Sequence, residues 1–381
     1  MLADLYPATP APLVAQALNK IDLEILDWRV TPLGAQGSKA VDIGEGVWRV
    51  SGAAQDRDGV HPWSLIRKGL HASDAFNARD PTSWNYWKRE ALAFQSGLLA
   101  DLPGALRAPR CYAVQEDGGD RVWLWLEDIQ ESVGAWTMAH YHLAARHLGQ
   151  FNGAYLCGYP LPKAEPWLSW GRVRQGLTGL QSSLAQVDAL AQTPMGQRVL
   201  RGDTLSRLYH LHADSAALLQ AFDRLPVCFC HHDAFRRNLM LRETTAGSRQ
   251  TVAIDWAITG FGRLGEEIAD TTSMTIAFVE LSASQCNELD QAVFAGYVEG
   301  LRDAGWRGDA RQARLGYSVS AAIRMVGGCF ACIRLMGTSE AFNQWEPIFR
   351  KPFDDFSEHL AQALPFFLDL GDEAVVLAAA M

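Results

Sequence analysis

The sequence predicts an α+β chain of two lobes, a β-rich N-terminal lobe with one helix and a mostly α-helical C-terminal lobe. Three observations lead there. At 381 residues the chain exceeds what one hydrophobic core usually organises. Up to about Asp128, short runs of β-branched and aromatic residues are broken by Gly, Asp and Asn clusters, a strand signature. Beyond Asp128 the apolar residues recur every three or four positions, as on a helix face. The lobes are placed at residues 1–128 and 129–381, joined by a short linker, with a ligand cleft between them.

The elements follow in order. WRVTPLG, GVWRVSG and HPWSLIRKGL read as three strands. Pro81-Thr82-Ser83 is a helix start for WNYWKREALAFQSGLLA. APRCYAVQED and DRVWLWLEDI are two more strands, with Glu116-Asp117-Gly118-Gly119 as the turn between them. After the linker, Tyr141, Ala144, Leu148, Phe151 and Tyr155 form an apolar stripe on one helix. Helical segments follow from Trp167 to Phe222, then at 284–305, 311–336 and 353–379. Between them lies a strand-like island, VCFCHHDAFRRNLMLRETTAGSRQTVAIDW.

Composition narrows the function. Apolar residues make up 48% and charged residues 20%, ordinary for a globular enzyme. The net charge of −9 disfavours nucleic acid, which binds through Lys and Arg. No run of 18 or more apolar residues is present, so no membrane partner is expected. The N-terminus lacks a basic start, an apolar stretch and a cleavage site, which makes the cytoplasm the expected location. Seven cysteines form no secreted disulfide framework and read as reduced, mostly buried thiols.

The chemistry concentrates in the island. VCFC delivers His231, His232 and Asp233 to a turn, Asn238 follows five residues after Asp233, and Thr244 to Ser248 turns the chain back into TVAIDW. Such a hairpin gathers Asp233, Asn238 and Asp255 at one end of a sheet. A carboxylate beside an Asn carbonyl suits Mg2+, which takes oxygen ligands and leaves room for phosphate and water. A second Asp, free of metal, can accept the proton of an attacking hydroxyl.

H-x-D-x-x-x-x-N followed by an I-D-W strand resembles the catalytic signature of the aminoglycoside phosphotransferase and choline kinase family, within the protein-kinase-like fold. The downstream GRLGEEIAD is similar to that family's G-D-P-x-x-D-L-A stretch at Gly262, Glu267, Ile268 and Ala269, with Glu267 in place of Asp, Arg263 in place of the first acidic residue, and His232 where Gly is usual. The resemblance implies an ATP- and Mg2+-dependent kinase acting on a hydroxyl of a small molecule, such as an aminoglycoside-like antibiotic or related metabolite. It implies Asp233 as base, Asn238 and Asp255 as metal ligands, and His231 as the residue shaping the loop. It also implies a strand Lys paired with a Glu on the next helix, roles that Lys68 and Glu90 fit. Arg67 competes with Lys68, but alternation sends the two to opposite faces. A phosphate-covering loop is expected in GAQGSKAVDIGEG, with Gly37, Ser38, Gly44 and Gly46, and an adenine-binding linker from Leu126 to Ile129, including Glu127.

Plainer readings stand beside these. Cys228, Cys230, His231 and His232 could suggest zinc, yet C-x-C-H-H on a strand splits between two faces. Cys329 and Cys332 read as helix packing. Arg236 and Arg237 either steady a phosphate or form ion pairs. Trp167, Trp170 and Trp345 either line an acceptor pocket or pack in the core. Glu266, Asp270, Asp354 and Asp355 either meet substrate ammonium groups or form solvated faces. A protein kinase is disfavoured because Asp255 is followed by Trp-Ala rather than Phe-Gly and no A-P-E segment follows. The alternative from another class is a catalytically silent nucleotide-binding regulator that kept the fold.

Overall fold

The computed structural model describes residues 10–33, 44–74, 77–244 and 247–381. Helix α1 (Ala11–Leu18) precedes β1 (Glu24–Leu33), β2 (Gly44–Asp56) and β3 (Gly59–His71). Helix α2 (Arg89–Gln95), the two-residue β4 (Leu106–Arg107), β5 (Cys111–Glu116) and β6 (Arg121–Glu127) follow. The five long strands form one antiparallel sheet in the order β1-β2-β3-β6-β5. Along β3 burial alternates, as two covered faces of a pleated strand require. Trp63, Leu65 and Trp125 pack under Leu13 and Val14 of α1, whereas Leu70, Leu124 and Leu126 pack with Ala91 of α2 and with Trp87.

The rest is helical around a small insertion of strands. Helices α3 (Met138–Leu156), α4 (Val173–Leu184), α5 (Val187–Leu190), α6 (Pro194–Val199) and α7 (Thr204–Asp223) lead to β7 (Val227–Cys230). Strands β8 (Leu239–Glu243) and β9 (Arg249–Ala253) form the expected hairpin, and β10 (Gly260–Arg263) pairs back with β7. Helices α8 (Glu267–Ala277), α9 (Cys286–Asp303), α10 (Ala310–Met336), α11 (Ser339–Phe342), α12 (Glu346–Phe349) and α13 (Phe353–Ala379) close the chain. Phe151, Phe229, Trp256, Tyr297 and Phe330 belong to one continuous core here. Helix α10 is long and apolar enough to cross a membrane, but 67% of its most apolar window is buried inside the protein, so it serves as the central packing helix.

The architecture is the expected α+β one, an antiparallel sheet region and a helical region. Helices α8, α11 and α12 and the short β4 are absent from the sequence reading, and three further details depart from it. Helix α1 is only eight residues long and opens on Ala-Pro, and it is not anticipated. Strand β10, a Gly-Phe-Gly stretch, lacks the alternation that marks strands. Helix α2 begins at Arg89 rather than near Ser83, because local side chains claim the backbone first. Asp80 accepts from the Thr82 amide at 2.8 Å, and Arg89 donates to the carbonyls of Ser83 and Trp84 at 2.5 and 2.6 Å.

Candidate active site

Lys68 is placed by the pleat of β3. Its neighbour Arg67 lies on the opposite face with its guanidinium 3.7 Å from the centre of the Trp123 ring, a cation–π contact. Lys68 faces the helical region, with Nζ 2.6 Å from Glu90 and 2.8 Å from Asp255. Burial opposes its charge, but the attraction of Asp255 and Glu90 outweighs that and holds the ammonium above its ordinary range. Asp255, 42% exposed at the side chain, is held below the usual carboxylate range, because Lys68 overcomes the burial around it. Glu90 is nearly fully buried, and that burial pushes it upward against the pull of Lys68.

Helix α2 is tied through its first turn to the segments around Trp167 and Trp256. Arg89, with no exposed surface, donates to the carbonyls of Trp167 at 2.5 Å and Ala257 at 2.9 Å. Glu90 accepts from the Trp256 amide at 3.3 Å. The segment that carries Asp255 is thereby fixed against the helix that orients Lys68.

The hairpin brings the trio together. Leu239 pairs with Ala253, and the Ile254 amide donates to the Asn238 carbonyl at 2.9 Å, so Asn238 and Asp255 emerge side by side from paired strands. The Asn238 carboxamide nitrogen donates to Asp233 Oδ2 at 2.7 Å. That commits one branch of the amide and turns its oxygen away from Asp233. Burial first, and then the charge of Asp270, push Asp233 up to about 7 against the pull of Arg172.

The loop between β7 and the hairpin is held from below. Glu267 accepts from the amides of His231 at 2.7 Å and His232 at 3.0 Å. His231 Nε2 meets the Ile254 carbonyl at 2.9 Å, and its Nδ1 accepts from the Asp233 amide at 3.1 Å. Burial depresses its imidazole to about 4, which keeps the ring neutral so that Nδ1 can accept. His232 has φ of 66°, in the left-handed region that glycine adopts most readily. Its ring is buried and turned to the Phe261 carbonyl at 3.0 Å.

The remaining expectations divide. Gly46 sits at a bulge opposite Gly69 with φ of 114°, and Gly44 pairs with Leu70. Gly37 and Ser38 lie outside the described residues. Glu127 ends β6 with its amide donating to the Arg110 carbonyl at 2.8 Å and its carboxylate on Arg242 at 2.5 Å. Ile129 follows half-buried in the linker. Arg236 pairs with Glu131 at 2.9 Å and Arg237 with Glu280 at 2.6 Å, so both serve as loop anchors. Glu266 and Asp270 are buried and form no solvated face, whereas exposed Asp354 pairs with Arg198. Trp170 is 65% exposed beside Phe261. Cys228 and Cys230 are buried with sulfurs 3.7 Å apart, and the two histidine rings turn to backbone carbonyls instead of joining them. Sequence reasoning did not single out Arg172, 3.7 Å from Asp233, or Arg324, 2.6 Å from Asp270. Neither lies in a motif.

The donor set can be tested for a metal. Asp255 offers a carboxylate and Asn238 an amide oxygen, both hard donors of the kind Mg2+ takes. Among the described residues no group of three or more His, Cys, Asp or Glu side chains could hold an ion. Two protein oxygens suit a metal that completes its shell with phosphate and water.

A family model described as the phosphotransferase enzyme family matches residues 79–310. No curated protein matches the chain. A choline kinase from Cryptosporidium parvum Iowa II superposes with a TM-score of 0.51 at 13% identity, covering 92% of this chain and 90% of that one. A microcompartment-associated aminopropanol kinase gives 0.49 at 12% identity over 97% and 99%. An amicoumacin kinase in complex with AMP-PNP and Ca2+ gives 0.49 at 13% identity over 90% and 88%. At such identities the likeness is one of fold.

Proposed function

The chain belongs to the phosphotransferase enzyme family, and on that premise we propose that it is a cytoplasmic small-molecule kinase that uses ATP and Mg2+ to phosphorylate an acceptor hydroxyl. One observation carries the reading. The buried Lys68–Glu90 pair meets Asp255, which is joined through the Ile254–Asn238 backbone hydrogen bond to an Asp233–Asn238 pair at 2.7 Å.

The roles follow from the contacts. Glu90 holds the Lys68 ammonium in the cleft, where it meets phosphate oxygens. Asn238 and Asp255 are the metal ligands. When bound, Mg2+–ATP supplies the phosphoryl group, and the metal charge offsets charge developing on the phosphate oxygens. Asp233, raised to about 7, is tuned for a base working near neutrality. It orients the acceptor hydroxyl and receives its proton as the new P–O bond forms and the bond from the γ-phosphorus to the bridging oxygen breaks, leaving ADP. His231 and Glu267 keep Asp233 in place, since small misplacements of a reacting group cost rate heavily. Lys68, Asn238 and Asp255 are the groups a silent regulator would be expected to lose, and all are present and in contact with their neighbours.

The test is Asp233→Ala in purified protein. Acceptor-dependent ADP release should fall by about 100- to 10,000-fold, the usual worth of a general base. Calorimetric binding of Mg2+–ATP should persist. Turnover near the wild-type rate would place the base elsewhere.

A further inference from the structure

Resting on the kinase reading, the chemistry of the acceptor can be narrowed. Asp233 divides the cleft. Its Oδ2 takes the Asn238 amide, on the side of the metal ligands. Its Oδ1 faces Arg172 Nη1 at 3.7 Å, beyond hydrogen-bond reach. Arg172 therefore flanks the base on the side away from the nucleotide, where an acceptor must enter.

Arg172 is held there by design of the surrounding turn. Glu266, buried, accepts from the amides of Arg172 at 3.3 Å and Arg263 at 3.0 Å. Gly171 before it has φ of 71°, and a Cβ at that position would sit 2.2 Å from Glu266 Oε1, so only glycine allows this approach. The guanidinium lies 5.0 Å from the Trp84 ring centre. Among the described residues none of its N–H groups makes a hydrogen bond. Behind it, Arg324 of α10 is 8% exposed and pairs through Nη2 with Asp270 at 2.6 Å. Its Nη1 is buried without a partner, as is the hydroxyl of Ser320 one turn earlier. Both Asp270 oxygens are likewise buried without a hydrogen-bond partner, so the ion pair behind Arg172 leaves donors and acceptors alike unmade, each a costly state.

The carboxylates nearby are already engaged. Asp270 holds Arg324, Glu266 and Glu267 hold backbone amides, and Glu131 and Glu280 hold Arg236 and Arg237. Asp270, whose oxygens also lack a hydrogen-bond partner, is sealed behind Arg324 at 1% exposure, so the group open to a ligand is the Arg172 guanidinium, 26% exposed. We propose that Arg172, backed by Arg324, is an oxyanion-binding site of the acceptor pocket, so that the acceptor hydroxyl belongs to a molecule carrying a carboxylate or phosphate. Guanidinium forks match both groups in a bidentate manner. A polycationic aminoglycoside meets the wrong charge here.

The experiment compares four small alcohols of matched size with Mg2+–ATP: D-glycerate, glycerol 3-phosphate, glycerol and ethanolamine. ADP release and mass analysis of the product read transfer, and calorimetry reads Mg2+–ATP binding separately. Glycerate or glycerol 3-phosphate should turn over faster than the other two, and which of them leads tells carboxylate from phosphate. Arg172→Gln should raise KM for that anion by about 10- to 100-fold, the worth of a charge-assisted hydrogen bond, with a smaller change in kcat. Arg172→Lys should recover part of the loss because charge remains without the fork. Preference for glycerol or ethanolamine overturns the oxyanion site and leaves the kinase standing. So does failure of all four alcohols in a protein that binds Mg2+–ATP. Failure of both binding and transfer removes the kinase reading as well.

Discussion

The two sides of the candidate site are built from similar charges and differ in how those charges are spent. Toward the sheet, Lys68 touches Glu90 and Asp255 at 2.6 and 2.8 Å, a closed triad whose buried member, Glu90, pairs with no other cation among the described residues. Toward α4 and α10, Arg172 stands 3.7 Å from Asp233 and Arg324 keeps an unused donor. A closed set of ions fixes geometry before any ligand arrives, as a constant phosphate group allows. A set with spare donors waits for a ligand that completes it, as a variable acceptor demands.

The largest expected effect tests the closed side. Lys68→Met leaves Glu90 buried beside Asp255 without a cation, and breaking a buried pair in this way costs about 3 to 5 kcal/mol. The double variant Lys68→Met with Glu90→Gln should regain most of that stability, since the orphaned charge is then gone, while remaining inactive. Arg172→Gln on the open side should cost under about 1 kcal/mol, because its contact is long and partly solvated. Urea unfolding of the three variants checks the contrast. Equal losses at Lys68 and Arg172 would erase the distinction between the two sides.

The same contrast explains what the sequence could reveal. Asp233, Asn238 and Asp255 are legible because a hairpin of ordinary length joins them, and Lys68 and Glu90 because strand alternation and chain order leave few choices. The hairpin itself is marked by TTAGS between apolar runs. Strand β10 is not, since GFGR has no alternating pattern, and its partner VCFC could be read without it. The start of α2 is obscured because Pro81-Thr82-Ser83 looks like a cap, while Arg89, far along the segment, takes the carbonyls that a helix would need. Arg172 and Arg324 are invisible for a different reason. One sits after a turn set by Gly171 and Glu266, the other in the middle of an apolar helix, and only the packing of α4 on α10 brings them near one site.

A smaller effect concerns the footing that both sides share. Glu267 takes the amides of His231 and His232 in a fully buried setting. Glu267→Ala orphans two backbone donors, at about 1 to 3 kcal/mol each when nothing replaces the acceptor, so a loss of about 2 to 6 kcal/mol is expected. Turnover should fall too, because the loop that positions Asp233 loosens. Glu267→Gln keeps one acceptor oxygen and should retain part of both properties. Stability and kcat measured on the pair decide it. An alanine variant as stable as the glutamine variant would show that water takes over the amides.

The smallest effect lies beneath the hairpin, where His147 of α3 meets the Thr251 hydroxyl of β9 at 2.8 Å. Burial depresses this imidazole to about 4, below the ordinary value of about 6.5. The unfolded chain therefore binds the proton first as pH falls. Its contribution to stability is complete above about pH 6.5 and is lost progressively toward pH 4, about 2 kcal/mol by pH 5. Glu266 and Glu267, raised by burial to about 7, act in the opposite direction, gaining stability as they take up protons on acidification. The whole-protein profile is thus a difference of opposed contributions, and a variant isolates one of them. His147→Gln keeps a partner for Thr251 and cannot titrate, so its stability should fall by about 2 kcal/mol less than the wild type between pH 7 and pH 5. Parallel curves for the two proteins in urea titrations at each pH would mean that His147 takes its proton in the folded state as readily as in the unfolded chain, and that the hairpin rests on the histidine ring without depending on its neutrality.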